Sequence, residues 1–138
     1  MPLNISKCPE TIVVRWLDEK LNIHEVLKTQ VRVHRQRLVP AVEEPFNVEL
    51  EKAILYEGIK HPLIAINNTF DNWDMATIGL KSVVPFKPEH DLLVVYGNQR
   101  LRIFDMYEHT FDIPVFIADS HVEAILIHNT LQQMIKEI

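Results

Sequence analysis

Three short apolar runs set the frame within which this chain can fold: "PLIAI" (62 to 66), "DLLVVY" (91 to 96) and "IPVFIAD" (113 to 119). Each is apolar at consecutive positions and bounded by turn or helix signals, the pattern of a buried strand. Pro62 opens the first run and Pro114 lies near the start of the third, where a missing N–H costs a ladder least.

Helical patterns separate them. Asn47 is a plausible N-cap, Leu50, Ala53 and Ile54 share one face beyond it with Val48 nearby, and Gly58 stops the helix. "NQRLRIFDMYEH" places Leu101, Phe104 and Glu108 on one line and Ile103 and Tyr107 on the next. The last segment opens with Ser120 and Glu123 in capping-box spacing, followed by Val122, Ile125, Leu126, Ile127, Leu131, Met134, Ile135 and Ile138. That face is broad enough to bury against a sheet or to make a homodimer. Strands separated by helices predict an α+β fold, a small mixed β-sheet flanked by helices. Ahead of them, "TIVVRWL" (11 to 17) reads as a first strand, "DEKLNIHEVLKTQ" as a polar, weakly helical stretch, and "VRVHRQRLVPAVEEP" as strand then loop. Residues 67 to 90 follow neither period for long and carry two prolines, which predicts an excursion holding one short hairpin.

A length of 138 residues, 47% of them hydrophobic and 24% charged, suits one domain over residues 1–138 that folds alone. A net charge of −5 argues against a broad basic surface that tracks a phosphate backbone. Cys8 is the single cysteine, which excludes an intramolecular disulfide, a Cys-rich zinc site and a C-x-x-C pair. The opening "MPLNISKCPE" lacks the layout of a secretion signal, and no apolar run is long enough to span a bilayer. The expectation is a soluble, cytoplasmic protein without membrane contact.

The junction "VVYGNQRLRIF" (94 to 104) carries the chemistry. A helix start exposes N–H groups and a positive partial charge that attract phosphate. Gly97 lets the backbone approach a ligand, and Arg100, one turn in, can fork onto phosphate oxygens. The plainer alternative is a tight turn at Gly97, a cap at Asn98 and a solvated Arg100.

"EGIKHPLIAI" (57 to 66) followed by "VVYGNQRLRIFDMYEHTFDIPVFIAD" (94 to 119) resembles the N-terminal domain of the ParB family and the wider ParB/sulfiredoxin-like superfamily. There a helix ends at Gly, a G-I-x-x-P-L-I-V strand follows, and a strand leads into G-E-R-R at a helix start with V-P-V-x-V after it. The matching residues are Gly58, Pro62, Leu63, Ile64, Gly97, Arg100, Ile113, Pro114 and Val115. His34-Arg35-Gln36-Arg37 echoes the family's Q-P-R segment, so the resemblance covers roughly residues 32 to 120. It implies a ParB/sulfiredoxin-like fold that holds a nucleoside triphosphate with Mg²⁺ at Gly97, Asn98, Gln99 and Arg100. His61, Arg35 and Arg37 would reach the phosphates, and Glu49 and Glu51 would supply catalytic carboxylates for NTP hydrolysis or phosphoryl transfer. Glu43 and Glu44 belong to the same acidic group.

The departures narrow this. Asn98 and Gln99 replace the Glu and first Arg of G-E-R-R. The motif holds no Cys, which sets sulfiredoxin chemistry aside. The E-N-x-x-R motif is missing from "SHVEAILIHNTLQQMIKEI", which sets a DNA clamp aside. Small stand-alone proteins of this type are described as ParB-like nucleases of phages and mobile elements. The alternative expectation is therefore a non-catalytic or nuclease-type module that contacts DNA through "HRQR". His121-Val122-Glu123 imitates the H-x-E of zinc deaminases without their P-C-x-x-C, so capping explains Glu123 and no metal residues are expected. "FDNWD" (70 to 74) offers Phe70 and Trp73 for packing or, secondarily, for stacking on a partner.

Overall fold

The computed structural model describes residues 8–107 and 112–136. Its strands are β1 (Thr11–Leu17), β2 (Ile23–Thr29), β3 (Val31–His34), β4 (Leu38–Pro40), β5 (Leu63–Asn67), β6 (Leu92–Tyr96) and β7 (Asp112–Ile117). Its α-helices are α1 (Val48–Glu57), α2 (Phe70–Thr77), α3 (Asn98–Met106) and α4 (His121–Lys136). The expected α+β class holds, with the three apolar runs forming β5, β6 and β7 at the centre of a mixed sheet ordered β3-β7-β5-β6-β4.

Those runs are apolar throughout because both faces of the sheet are covered. The pleat sends Leu63 and Ala65 of β5 into one core with Leu101, Ile103 and Phe104 of α3 and Ile54 of α1. It sends Ile64 and Ile66 into a second core with Ile12 and Val14 of β1 and Ala124, Ile127 and Leu131 of α4. On α4, Val122 and Ile125 face outward, at 67% and 47% exposure. The apolar stripe expected for this helix thus divides between a buried face and an open one. Ile138 lies outside the described residues, as do Glu108 and His109 of the α3 segment.

The sheet is curled. Its two edge strands, β3 and β4, are joined by a single 3₁₀ turn, Arg35–Arg37. Such a turn spans roughly 6 Å at about 2.0 Å per residue, whereas five flat strands set their edges about 19 Å apart. The edges must bend toward each other. A register shift between Ile64 and Ala65, where β5 meets β6, contributes a local bend.

Two expectations are corrected. The stretch after β1 is a strand, not weakly helical: β2 pairs antiparallel with β1 from Thr11 opposite Thr29 to Leu17 opposite Ile23. Polar and apolar residues share both of its faces, with Ile23, Glu25, Leu27 and Thr29 on the open one and His24, Val26 and Lys28 on the other, and Lys28 ties it to α4 through Glu123. The excursion at 67–90 holds a helix, α2, in place of a hairpin. Thr69 caps it by accepting from Asn72 N at 3.1 Å, and the only pairing nearby is the bridge between Val42 and Val83.

The β1–β2 turn is organised by Asp18, whose carboxylate accepts from Lys20 N at 2.8 Å and Asn22 N at 2.9 Å and meets His24 Nε2 at 2.8 Å. The His24 bond, then those backbone donors, hold its carboxyl down at about 2. Leu21 in this turn has φ 63° and is 76% exposed. A branched residue there is strained by about 1–2 kcal/mol, part of which glycine returns through the unfolded chain. Leu21→Gly is expected to raise the unfolding free energy by about 0.5–1 kcal/mol in urea titration. A loss of stability would show that the Leu21 side chain makes a contact of its own.

Candidate anion-binding site

Strand β6 ends at Tyr96, Gly97 turns the chain at φ 99° and ψ 20°, and α3 begins at Asn98. Asn47, Thr69 and Ser120 cap α1, α2 and α4 through side-chain oxygens. Gly97 gives α3 no such bond. The positive end of α3 is therefore left to backbone N–H groups alone.

Arg100 folds back over this start. A Cβ built on Gly97 would lie 2.9 Å from Arg100 Nη2 and 2.5 Å from Leu63 Cδ2, so glycine is required by space as well as by φ. Nη2 donates to the Pro62 carbonyl at 3.5 Å, and Nε is shielded from solvent without a partner. No carboxylate offsets the guanidinium: burial pushes it down to about 10, and the one opposing influence is the Cys8 thiol. It remains charged at neutral pH.

Its neighbours are neutral. Cys8 is buried, donates from Sγ to the Ile59 carbonyl at 3.1 Å and is pushed by burial up to about 11, against the pull of Arg100 and Arg32. Such a thiol is a poor nucleophile. Burial, then Arg100, His128 and Lys60, push His61 down to about 4. His128 stacks on Tyr96 with ring centroids 4.1 Å apart and is lowered by burial and by Arg100.

A cavity of about 520 Å³ opens along Tyr96, Gly97, Asn98, Gln99 and Arg100. Ala41, Val42 and Leu50 line one side, Met75, Ala76 and Leu80 another, and Ala124 and Ile125 a third, with Glu44 and His121 as further polar groups. Gln99 Oε1 accepts from Asn47 Nδ2 at 3.4 Å, while Asn98 Oδ1 is shielded and unpartnered. Asn98, Val42 and Glu44 also line a second cleft of about 550 Å³ that holds Arg35, Arg102 and Asp105.

The fold thus gathers Gly97, Asn98, Gln99 and Arg100 at one cavity and sets His61 against Arg100 from the start of β5. The other expected residues go elsewhere. Arg35 makes two bonds to Asp105, at 2.6 and 3.0 Å, and Arg37 pairs with Asp91 at 2.8 Å. The Glu49 side chain is 88% exposed on the first turn of α1, and Glu51 accepts from the Tyr107 hydroxyl at 2.8 Å. Neither glutamate lines the cavity. Glu123 serves Lys28 and the α4 cap, His121 Nε2 meets the Asn72 carbonyl at 3.2 Å, and no metal-holding group of three His, Cys, Asp or Glu exists among the described residues. Phe70, Trp73 and Phe86 pack on one another at 5.6 to 6.1 Å, and Trp73 Nε1 donates to the Val84 carbonyl at 2.8 Å, a packing role. Sequence reasoning missed Cys8 and His128 beside Arg100 and the walls from Met75, Leu80 and Ile125, whose places depend on tertiary packing.

His61 makes stability depend on pH. Its folded value, about 4, lies below the unfolded value near 6.5, so the unfolded chain binds the extra proton between them. The contribution is complete above about pH 6.5 and is lost as pH falls toward 4. Wild type is expected to lose on the order of 1–2 kcal/mol more than His61→Gln between pH 7 and pH 4 in denaturant titrations, the partial exposure of the ring screening the rest. Parallel curves for the two proteins would rule this out.

The chain matches no family model, no curated protein and no solved structure. Among the described residues no helix is long and apolar enough to cross a membrane.

Proposed function

We propose that this chain binds a nucleotide, gripping a phosphate between the start of α3 and Arg100, as its resemblance to ParB/sulfiredoxin-like domains implies. The observation that carries the reading is the guanidinium of Arg100: charged, offset by no carboxylate, with Nε shielded and unpartnered at the edge of a cavity. A buried donor left without an acceptor costs about 1–3 kcal/mol, a cost that an anionic ligand would remove. Binding is better supported than NTP hydrolysis or phosphoryl transfer, because Glu44 is the one carboxylate on the cavity wall while Glu49 and Glu51 stand away from it. The DNA-contacting or nuclease alternative draws less support, since the arginines of "HRQR" are committed to Asp105 and Asp91.

Calorimetry with the mono- and triphosphates of adenosine, cytidine and guanosine, with and without Mg²⁺, on wild type and Arg100→Ala, tests the reading. Binding by at least one nucleotide that the substitution weakens roughly tenfold or more is the expected result. Absence of binding by every nucleotide, mono- or triphosphate, would overturn it.

A further inference from the structure

A Mg²⁺-bound triphosphate makes demands that can be compared with the residues present. Mg²⁺ sites use one or two carboxylates beside the phosphates, and triphosphate cradles add hydroxyl ligands and several cationic groups. The cavity wall has Glu44 as its only carboxylate, no Ser or Thr, and Arg100 as its only Lys or Arg side chain. The neighbouring cleft adds three cations outside the cavity: Arg35, held by Asp105, Arg102, which donates to the Glu44 carbonyl, and Lys87. One carboxylate could serve Mg²⁺, but within the cavity a single guanidinium stands against the charge of three phosphates.

It fits a smaller charge. One guanidinium and the roughly +0.5 charge of a helix start match the −1.5 to −2 of a single phosphate monoester near neutral pH. Beside the polar Glu44, Gln99 and His121, the wall carries Met75, Leu80 and Ile125, which remain 60%, 49% and 47% exposed, open to a ligand's apolar or aromatic body. The shielded Asn98 Oδ1 needs a donor, which a sugar hydroxyl or a base amine supplies.

Resting on the nucleotide reading above, we infer that the ligand is a nucleoside monophosphate bound without metal: phosphate on the α3 N–H groups and Arg100, body against Met75, Leu80 and Ile125. The cavity itself offers no second Lys or Arg for a triphosphate's outer charges.

Calorimetry on the full chain would use AMP, CMP and GMP, the matching triphosphates and inorganic phosphate, each with Mg²⁺ and with EDTA. At least one monophosphate is expected to bind as tightly as its triphosphate or tighter, unaffected by EDTA, with inorganic phosphate at least about tenfold weaker (about 1.4 kcal/mol). Ile125→Ser, neutral and at an exposed position, is expected to weaken the monophosphate more than it weakens inorganic phosphate. A triphosphate at least tenfold tighter and released by EDTA would overturn this inference while sustaining the nucleotide reading. Inorganic phosphate as tight as any nucleotide, or indifference of the monophosphate to Ile125→Ser, would remove the apolar body from the ligand. No binding by any nucleotide would overturn the parent reading itself.

Discussion

Gly97→Ala is expected to lower the unfolding free energy by about 2–4 kcal/mol and Tm by roughly 10 °C, read by urea and thermal titration. Two causes add. A residue with a side chain at φ 99° carries left-handed strain of about 1–2 kcal/mol, and its Cβ would sit 2.5 Å from Leu63 Cδ2 in a fully packed core. Gly97→Asn separates them, because asparagine tolerates positive φ but still brings a Cβ. It is expected to recover only part of the loss. Full recovery would mean that Leu63 shifts without cost and that backbone strain alone requires glycine.

Arg100→Met is expected to move binding and stability in opposite directions. Removing a charge-assisted donor to phosphate costs about 1.5–3 kcal/mol, so nucleotide affinity should fall roughly 10- to 100-fold. Without ligand, that guanidinium has only a 3.5 Å bond to the Pro62 carbonyl to set against its desolvation. An unbranched apolar chain in its place should leave the free protein as stable or up to about 2 kcal/mol more stable. A destabilisation beyond about 2 kcal/mol would identify Arg100 as a structural pillar, and nucleotide affinity unchanged by the substitution would place the phosphate elsewhere.

How far the sequence speaks for the fold depends on whether a residue's role is local. Strands β5, β6 and β7 are legible because burial on both faces leaves them apolar throughout. Asn47 and Ser120 are legible as caps because their partners lie three residues on. Strand β2 is not, since one of its faces is open and its residues read as a polar helix. Helix α2 is eight residues long, too short for its period to stand out among prolines.

The same division runs through the site. Gly97 and Arg100 share one turn and are readable together, while the cavity walls come from residues distant in sequence. The basic run "HRQR" invited a phosphate role because its neutralising partners are 70 and 54 residues away, at Asp105 and Asp91. Charge visible in a sequence is spent or free only once the chain has closed.

The short Arg35–Arg37 link has a mechanical meaning. None of the three glycines, Gly58, Gly79 and Gly97, lies in a strand, so the curvature does not come from glycine kinks within the sheet. Besides the register shift in β5, it is imposed by a tether: three residues that hold two borders of the sheet together, clasped by Arg35 to α3 and by Arg37 to Asp91 just ahead of β6. Lengthening that tether with a few flexible residues would slacken the roll of the sheet without touching its core. The spacing of Leu63 from Gly97 is fixed separately, by the pairing of Ile64 with Tyr96 where β5 meets β6, so a longer strap would alter the curl and leave that turn in place.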